Sequence, residues 1–199
     1  MQVVLPVLSA AGLNCAMLPT ALLSTHTGGF GTVYRRDLKE DMTGILSHWR
    51  RLDLRFDAVY TGYLGGAAQA DMILSSLDRL MADHGKPYAF CGEEMVAGFR
   101  ALCGRADVIF PNRTEAAMLL GLPISPGTEP EVPEKEAVLS LGAPHVVLSG
   151  VSSQEGQIGV TAYSSGKAPH TLERQHHPGS YPGTGDMLAA GVIAGLMRG

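Results

Sequence analysis

The sequence predicts an α/β fold, a mostly parallel sheet with helices on both faces. Short apolar runs of strand length alternate with stretches whose apolar residues recur at helical spacing, and the glycine-rich or polar loops follow the strand-like runs. In sheets of this kind ligands sit at the carboxyl ends of the strands, where those loops lie. A chain of 199 residues buries one sizeable core and reads as a single domain, 1–199. Hydrophobic residues at 45% and charged residues at 17% exclude a disordered or coiled chain. A net charge of −4 with no basic block argues against nucleic acid or an anionic membrane as partner, which leaves a small molecule.

Cys15, Cys91 and Cys103 are odd in number and lack C-x-x-C spacing, so neither a disulfide framework nor a zinc site is signalled, and a reducing cytoplasm is expected. Met1 to Leu23 is apolar, but no basic residue precedes it and the first is Arg35, against a signal peptide. The apolar stretch ending at Met197 falls short of the ~20 residues that span a bilayer.

Taken in order, Val3, Leu5, Val7, Leu8 and Ala11 predict the end of a buried helix stopped at Gly12, with Pro6 tolerated near its start. Cys15 to Leu18 reads as a short strand and Pro19 to Gly31 as a loop rich in hydroxyls and glycine. Asp37 followed by Glu40 is a capping-box-like start, after which Leu38, Met42, Ile45, Trp49 and Leu52 mark an amphipathic helix. Asp57 to Tyr60 is a strand running into Thr61-Gly62-Tyr63-Leu64-Gly65-Gly66, and helix 67–80 follows with Met72, Ile73, Leu77 and Leu80. A further helix carries Met95, Val96, Phe99 and Leu102. Strand Val108 to Phe110 leads through Pro111-Asn112 into helix Thr114 to Leu120, closed by Gly121. Strand-turn-helix is expected once more after His145 to Leu148. Ile158 to Gln175 reads as a hairpin about Ser164-Ser165-Gly166-Lys167.

Gly183-Thr184-Gly185-Asp186 then opens the apolar run from Met187 to Met197. Backbone N–H groups bare of side chains, at the positive end of a helix dipole, attract a phosphate. Asp186 on the first turn is placed to take a proton from a hydroxyl, although Asp is also a common N-cap. Elsewhere each candidate has two readings. Asn112 and Glu115 form an ordinary capping box as well as a candidate ligand pair. His26 is either a surface histidine or a ligand, Tyr63 either a core ring or a pocket wall, Ser149 either a turn cap or a site hydroxyl. His176 and His177 diverge in an extended loop and read as solvated.

In order, Ser24-Thr25-His26-Thr27-Gly28, Thr61-Gly62-Tyr63, Pro111-Asn112-Arg113-Thr114-Glu115-Ala116, Val147-Leu148-Ser149-Gly150 and Gly183-Thr184-Gly185-Asp186 resemble the pyridoxal (pyridoxine) kinases of the ribokinase-like superfamily. The resemblance implies a ribokinase-like fold and phosphorylation of the 5′-hydroxymethyl group of pyridoxal, pyridoxine or pyridoxamine by ATP with Mg2+. It implies that Asp186 accepts the hydroxyl proton while the amides of Gly183, Thr184 and Gly185 stabilise the transferring charge, that His26, Thr27 and Tyr63 meet the vitamin, and that Asn112, Glu115 and Ser149 meet the nucleotide. Asp83 and Glu115 would stand near the metal. A homodimer is left open by the apparent relatives. Hydroxymethylpyrimidine kinases share the Gly-Thr-Gly-Asp turn, and a truncated homologue that only binds ligand is the non-catalytic alternative.

Three departures from the family accompany the resemblance. The chain begins inside the helix that follows the family's first strand, it stops after the Asp186 helix, and helix 67–80 runs almost directly into Ala82-Asp83-His84-Gly85-Lys86-Pro87-Tyr88 with no strand expected between helices. Asp78 would be either a remnant of the family's Asp-Pro segment or the end of that helix. Missing interior strands orphan backbone groups at about 1–3 kcal/mol each, so an incomplete sheet and a marginal fold are expected.

Overall fold

The computed structural model describes residues 3–25, 31–89, 96–125, 128–179, 181 and 183–199, without the side chains of 82–89 and 97. The chain divides into two compact units, Met1–His48 with Gly179–Gly199, and Trp49–Pro178.

In the first unit α1 (Val4–Ala10) buries Val4 and Leu8 and packs with α7 (Thr184–Arg198), which buries Ala189, Ala190, Ile193 and Ala194. Pro6 is accommodated because a first helical turn has no intrahelical acceptor for its N–H groups, and Gly12, at φ 81°, turns the chain away. Cys15 to Leu18 is not a strand, contrary to the sequence expectation. The strand lies further on, where β1 (Ala21–Leu23) pairs antiparallel with β2 (Arg35–Asp37). Three-residue strands are too short to show alternation, and β2 is fully exposed and charged, so neither carries a hydrophobic signal. Ser24 closes this ribbon by exchanging main-chain and side-chain bonds with Tyr34, at 3.1 Å each. The Asp37 carboxylate accepts from Lys39 N at 2.7 Å and starts α2 (Lys39–Arg51), whose buried face is Met42 and Leu46.

The second unit is a six-stranded sheet in sequential order: β3 (Phe56–Thr61), β4 (Met81–Ala89), β5 (Val108–Ile109), β6 (His145–Val151), β7 (Gln157–Ser164) and β8 (His170–Gln175). The pairings from β3 through β6 are parallel and those from β6 to β8 antiparallel. Helices α3 (Ala67–Leu80), α4 (Val96–Cys103) and α5 (Arg113–Leu120), with the short α6 (Lys135–Leu139), make the crossovers that parallel strands require. Phe99, Leu102, Ile109, Phe110, Ala116, Leu119, Val138, Val146 and Leu148 are among the buried core residues. Trp49 packs edge-on against Phe56, ring centroids 5.3 Å apart.

The expected gap between two helices is filled. Strand β4 begins at Met81, immediately after Leu80 of α3, with no loop between them. Met81 is already extended at ψ 137°, while its N–H still donates to Leu77 O. Pairing with β3 starts at Phe56↔Met81 and resumes at Ala58↔Lys86, so the chain bulges by three residues before it settles into register. Nothing local announces this strand: Asp83, His84, Gly85, Lys86 and Pro87 are poor strand formers, and flanking strands impose extension on them. Asp78 belongs to the last turn of α3, where it pairs with Arg105 at 2.5 Å, so it is a helix end.

One further expectation fails. No helix follows β6; the chain turns through Ser152–Gly156 and returns as β7. Helix α6 carries too few turns to show a period. The expected hairpin is present as β7 and β8, with its turn at Ser164–Lys167 closed by Lys167 N donating to Ser164 O at 3.3 Å.

Gly159, opposite Glu173 in that hairpin, has no room for a side chain. A Cβ there would collide with the Leu172 carbonyl and stand 2.7 Å from Glu173 Cγ. Gly159→Ala is expected to lower unfolding stability by about 1–3 kcal/mol in urea titration, with the slope unchanged. Glu173 itself holds the β6–β7 turn, accepting from Ser153 Oγ at 2.7 Å and Ser153 N at 2.5 Å, and these bonds lower its carboxyl below the usual range. A group depressed in the folded state adds stability above its unfolded pKa and loses it as pH falls through the folded one. Glu173→Gln should therefore flatten the acid limb of stability below about pH 4.5 and leave stability near pH 7 slightly reduced.

Candidate active site

The parallel strands point their carboxyl ends to one edge of the sheet, and the second unit places its candidate residues there. At β5, Phe110 and Pro111 are buried and carry the chain to Asn112. Pro111 fixes its own φ and has no N–H, so it contributes only its carbonyl. That carbonyl accepts from Ser149 N at 3.0 Å and Ser149 Oγ at 3.5 Å, and Asn112 pairs with Ser149 as a parallel bridge. Asn112 and Ser149 are thereby brought together.

Asn112 caps α5. Its Oδ1 accepts from Glu115 N at 2.8 Å, and Glu115 Oε2 accepts from Asn112 N at 2.8 Å, so the reciprocal box read from the sequence is formed. Glu115 is 8% exposed, a carboxylate held at the positive end of a helix. Gly121, at φ 72°, ends the helix in the left-handed region.

Among the described residues no group of three or more His, Cys, Asp or Glu gathers into a metal cluster. One carboxylate at a helix N-terminus, completed by phosphate oxygens and water, is the kind of donor set Mg2+ accepts, and Glu115 fits that role. Asp83 lies in β4, and its side chain is outside the described residues.

Tyr63 sits in the loop after β3, half-buried between buried Thr61 and Leu64. The loop is held by Gln69, 1% exposed on the first turn of α3, whose Oε1 accepts from Gly65 N at 2.7 Å. Sequence reading missed Gln69 because one glutamine in an amphipathic helix carries no motif. Arg113 was also passed over, although it stands beside Asn112 and reaches Glu129 and Pro130.

In the first unit Gly183 is the N-cap of α7, at φ 90°, and as a glycine it contributes no side-chain cap. Its carbonyl accepts from Met187 N at 2.9 Å, and Thr184 N turns back to Tyr181 O at 3.4 Å. Gly185 and Asp186 are half-buried on the first turn and Thr184 is exposed. A glycine N-cap beside a partly exposed carboxylate is an arrangement that can hold an anion next to a proton acceptor. His26 and Thr27 lie outside the described residues.

Glycine is required at 183 twice over: the backbone is left-handed, and an added Cβ would stand 3.0 Å from Val3 Cγ2 on the residue before α1. Gly183→Ala is expected to cost at least about 1–2 kcal/mol in thermal unfolding and to distort the turn that precedes Asp186.

Residues 4–199 match the family described as phosphomethylpyrimidine kinase. The chain is 28% identical over 219 residues to the thiamine biosynthetic bifunctional enzyme TH1 of Arabidopsis thaliana, spanning all of this chain and 40% of the length of that enzyme. A Bacteroides thetaiotaomicron protein, described as a phosphomethylpyrimidine kinase and crystallised with pyridoxal, shares 31% identity at a TM-score of 0.88, covering all of this chain and 75% of that one. The pyridoxal kinase of Lactobacillus plantarum shares 34% identity at a TM-score of 0.82, over 98% of this chain and 74% of that one. The chain is a member of the phosphomethylpyrimidine kinase family and has its ribokinase-like α/β fold.

Proposed function

We propose that this chain phosphorylates the 5′-hydroxymethyl group of pyridoxal, pyridoxine or pyridoxamine, with ATP as donor and Mg2+ as the accompanying ion. The observation that carries the reading is the glycine-capped turn Gly183–Asp186, where a helix N-terminus and a half-buried carboxylate stand together. Phosphoryl transfer asks a protein mainly for positioning and for stabilisation of charge on the moving group. Asp186 takes the proton of the attacking hydroxyl, and the amides of Gly183, Thr184 and Gly185 bear on the oxygens of the transferring phosphoryl.

Asn112, Glu115 and Ser149 form the nucleotide side, supported by their common attachment to the Pro111 corner. Mg2+ neutralises phosphate charge, and Glu115 with Asp83 would hold it. Tyr63 is the vitamin-side residue of the described chain, and the family resemblance gives His26 and Thr27 the same part. No helix among the described residues is long and apolar enough to cross a membrane, and the cytoplasm is the proposed location. A homodimer is the proposed assembly.

The second reading is phosphorylation of hydroxymethylpyrimidine or its phosphate, favoured by the family's own description and by the likeness to the Arabidopsis thiamine enzyme. The Gly-Thr-Gly-Asp turn would serve either alcohol. Ser24-Thr25-His26-Thr27-Gly28 with Thr61-Gly62-Tyr63 favours the pyridine vitamers.

A coupled assay for ATP consumption, run in parallel with pyridoxal and with hydroxymethylpyrimidine, separates the two. Turnover of pyridoxal is expected, and Asp186→Asn should lower kcat by about a hundredfold to ten-thousandfold with KM values little changed. Equal traces of product from both proteins would dismiss the assignment of Asp186.

A further inference from the structure

Arg113 has no task in the chemistry above, yet its side chain is engaged on several sides at the nucleotide corner. It is the first residue of α5, next to Asn112. Its alkyl stem lies over Gly150, where an added Cβ would be 3.9 Å from Arg113 Cδ. Gly150 follows Ser149, has φ 75°, and lies at the bulge where the β6 register shifts against β7. Past the stem, Nη1 donates to Glu129 Oε2 at 2.8 Å and Nη2 to the Pro130 carbonyl. One cation thus touches the helix start, the strand end and the α5–α6 connection.

The cost of this placement is visible. Arg113 Nε is sealed from solvent with no acceptor, and a buried donor left unmet is tolerated where something else fixes the group. The Glu129 pair is not a strong enough reason, because its carboxylate is 82% exposed and such pairs contribute little. The distinguishing element is the fork, which grips a carboxylate and a main-chain carbonyl together. A lysine has no equivalent geometry.

We infer that Arg113 is a positioning residue for the nucleotide: it staples residues 129–130 to the Ser149–Gly150 corner and so holds the wall beside the triphosphate. The inference rests on Asn112, Glu115 and Ser149 being the nucleotide side. The stem keeps the bulge, and with it the Ser149 hydroxyl, in place, while the fork keeps the connection closed over it.

Arg113→Met retains the stem and removes the fork, and Arg113→Lys retains the charge alone. Calorimetric titration with ATP and ADP, steady-state kinetics with pyridoxal, and limited proteolysis across 128–134 read the consequences. Both variants should raise KM and Kd for the nucleotide about tenfold, with kcat and the pyridoxal KM within twofold, and both should be cleaved faster in 128–134. Unchanged nucleotide affinity in Arg113→Met overturns the proposal and leaves the assignment of Asn112, Glu115 and Ser149 standing. Full rescue by Lys, or equal loss in kcat and in both KM values, also overturns it. A wild-type chain that binds neither ATP nor ADP removes the nucleotide reading and this proposal together.

Discussion

The second unit depends on what happens where β5 meets α5. Strand β5 is two residues long, and within four residues the chain must leave the sheet, satisfy a helix start and present polar side chains at the strand edge. Pro111 and Asn112 accomplish this with one carbonyl and one amide side chain. The Pro111 carbonyl extends the parallel ladder to Ser149 beyond the last regular pair, and the Asn112 side chain closes the first turn against Glu115. The first contact holds Asn112 beside Ser149 and the second holds Glu115 against Asn112, so together they keep the three side chains at one corner. Local capping and the candidate site are here the same hydrogen bonds.

That identity explains why so much of this corner is legible in the sequence. Asn112 with Glu115 three residues on, a proline before and Gly121 after, signals a helix start and stop whatever the function. Gly183, Thr184, Gly185 and Asp186 are legible for a similar reason, because a glycine in the left-handed region before an apolar run has few other uses. The hairpin of β7 and β8 follows from alternation on either side of a polar turn. These are short-range rules, and short-range rules survive in a single sequence.

The missed features are those set at long range. Strand β4 is extended because β3 and β5 flank it, not because its residues favour extension, and the sequence expectation of a vacant place in the sheet fails for that reason. With β4 present, the described sheet runs from β3 to β8 without a vacant strand position. Helix α6 and the ribbon of β1 and β2 are too short to show a period. Gln69 and Arg113 act through single contacts with Gly65, Glu129 and Pro130, which no spacing announces. Among the site candidates, Tyr63, Asn112, Glu115, Ser149 and the turn at Gly183 are each located within their own unit, while His26, Thr27 and the Asp83 side chain lie outside the described residues.

The direct junction of α3 with β4 has a mechanical corollary. A crossover usually carries a few loop residues that absorb small rotations of the helix, and here Leu80 and Met81 are consecutive members of the two elements. At its other end the same helix grips the Gly65 amide through Gln69. A displacement of the Tyr63 loop would therefore pass along α3 into an inner strand with no intervening loop, and would there meet the three-residue bulge between Met81 and Lys86. A change of chain length at this joint would meet that bulge before it met the regular pairing that begins at Ala58 and Lys86.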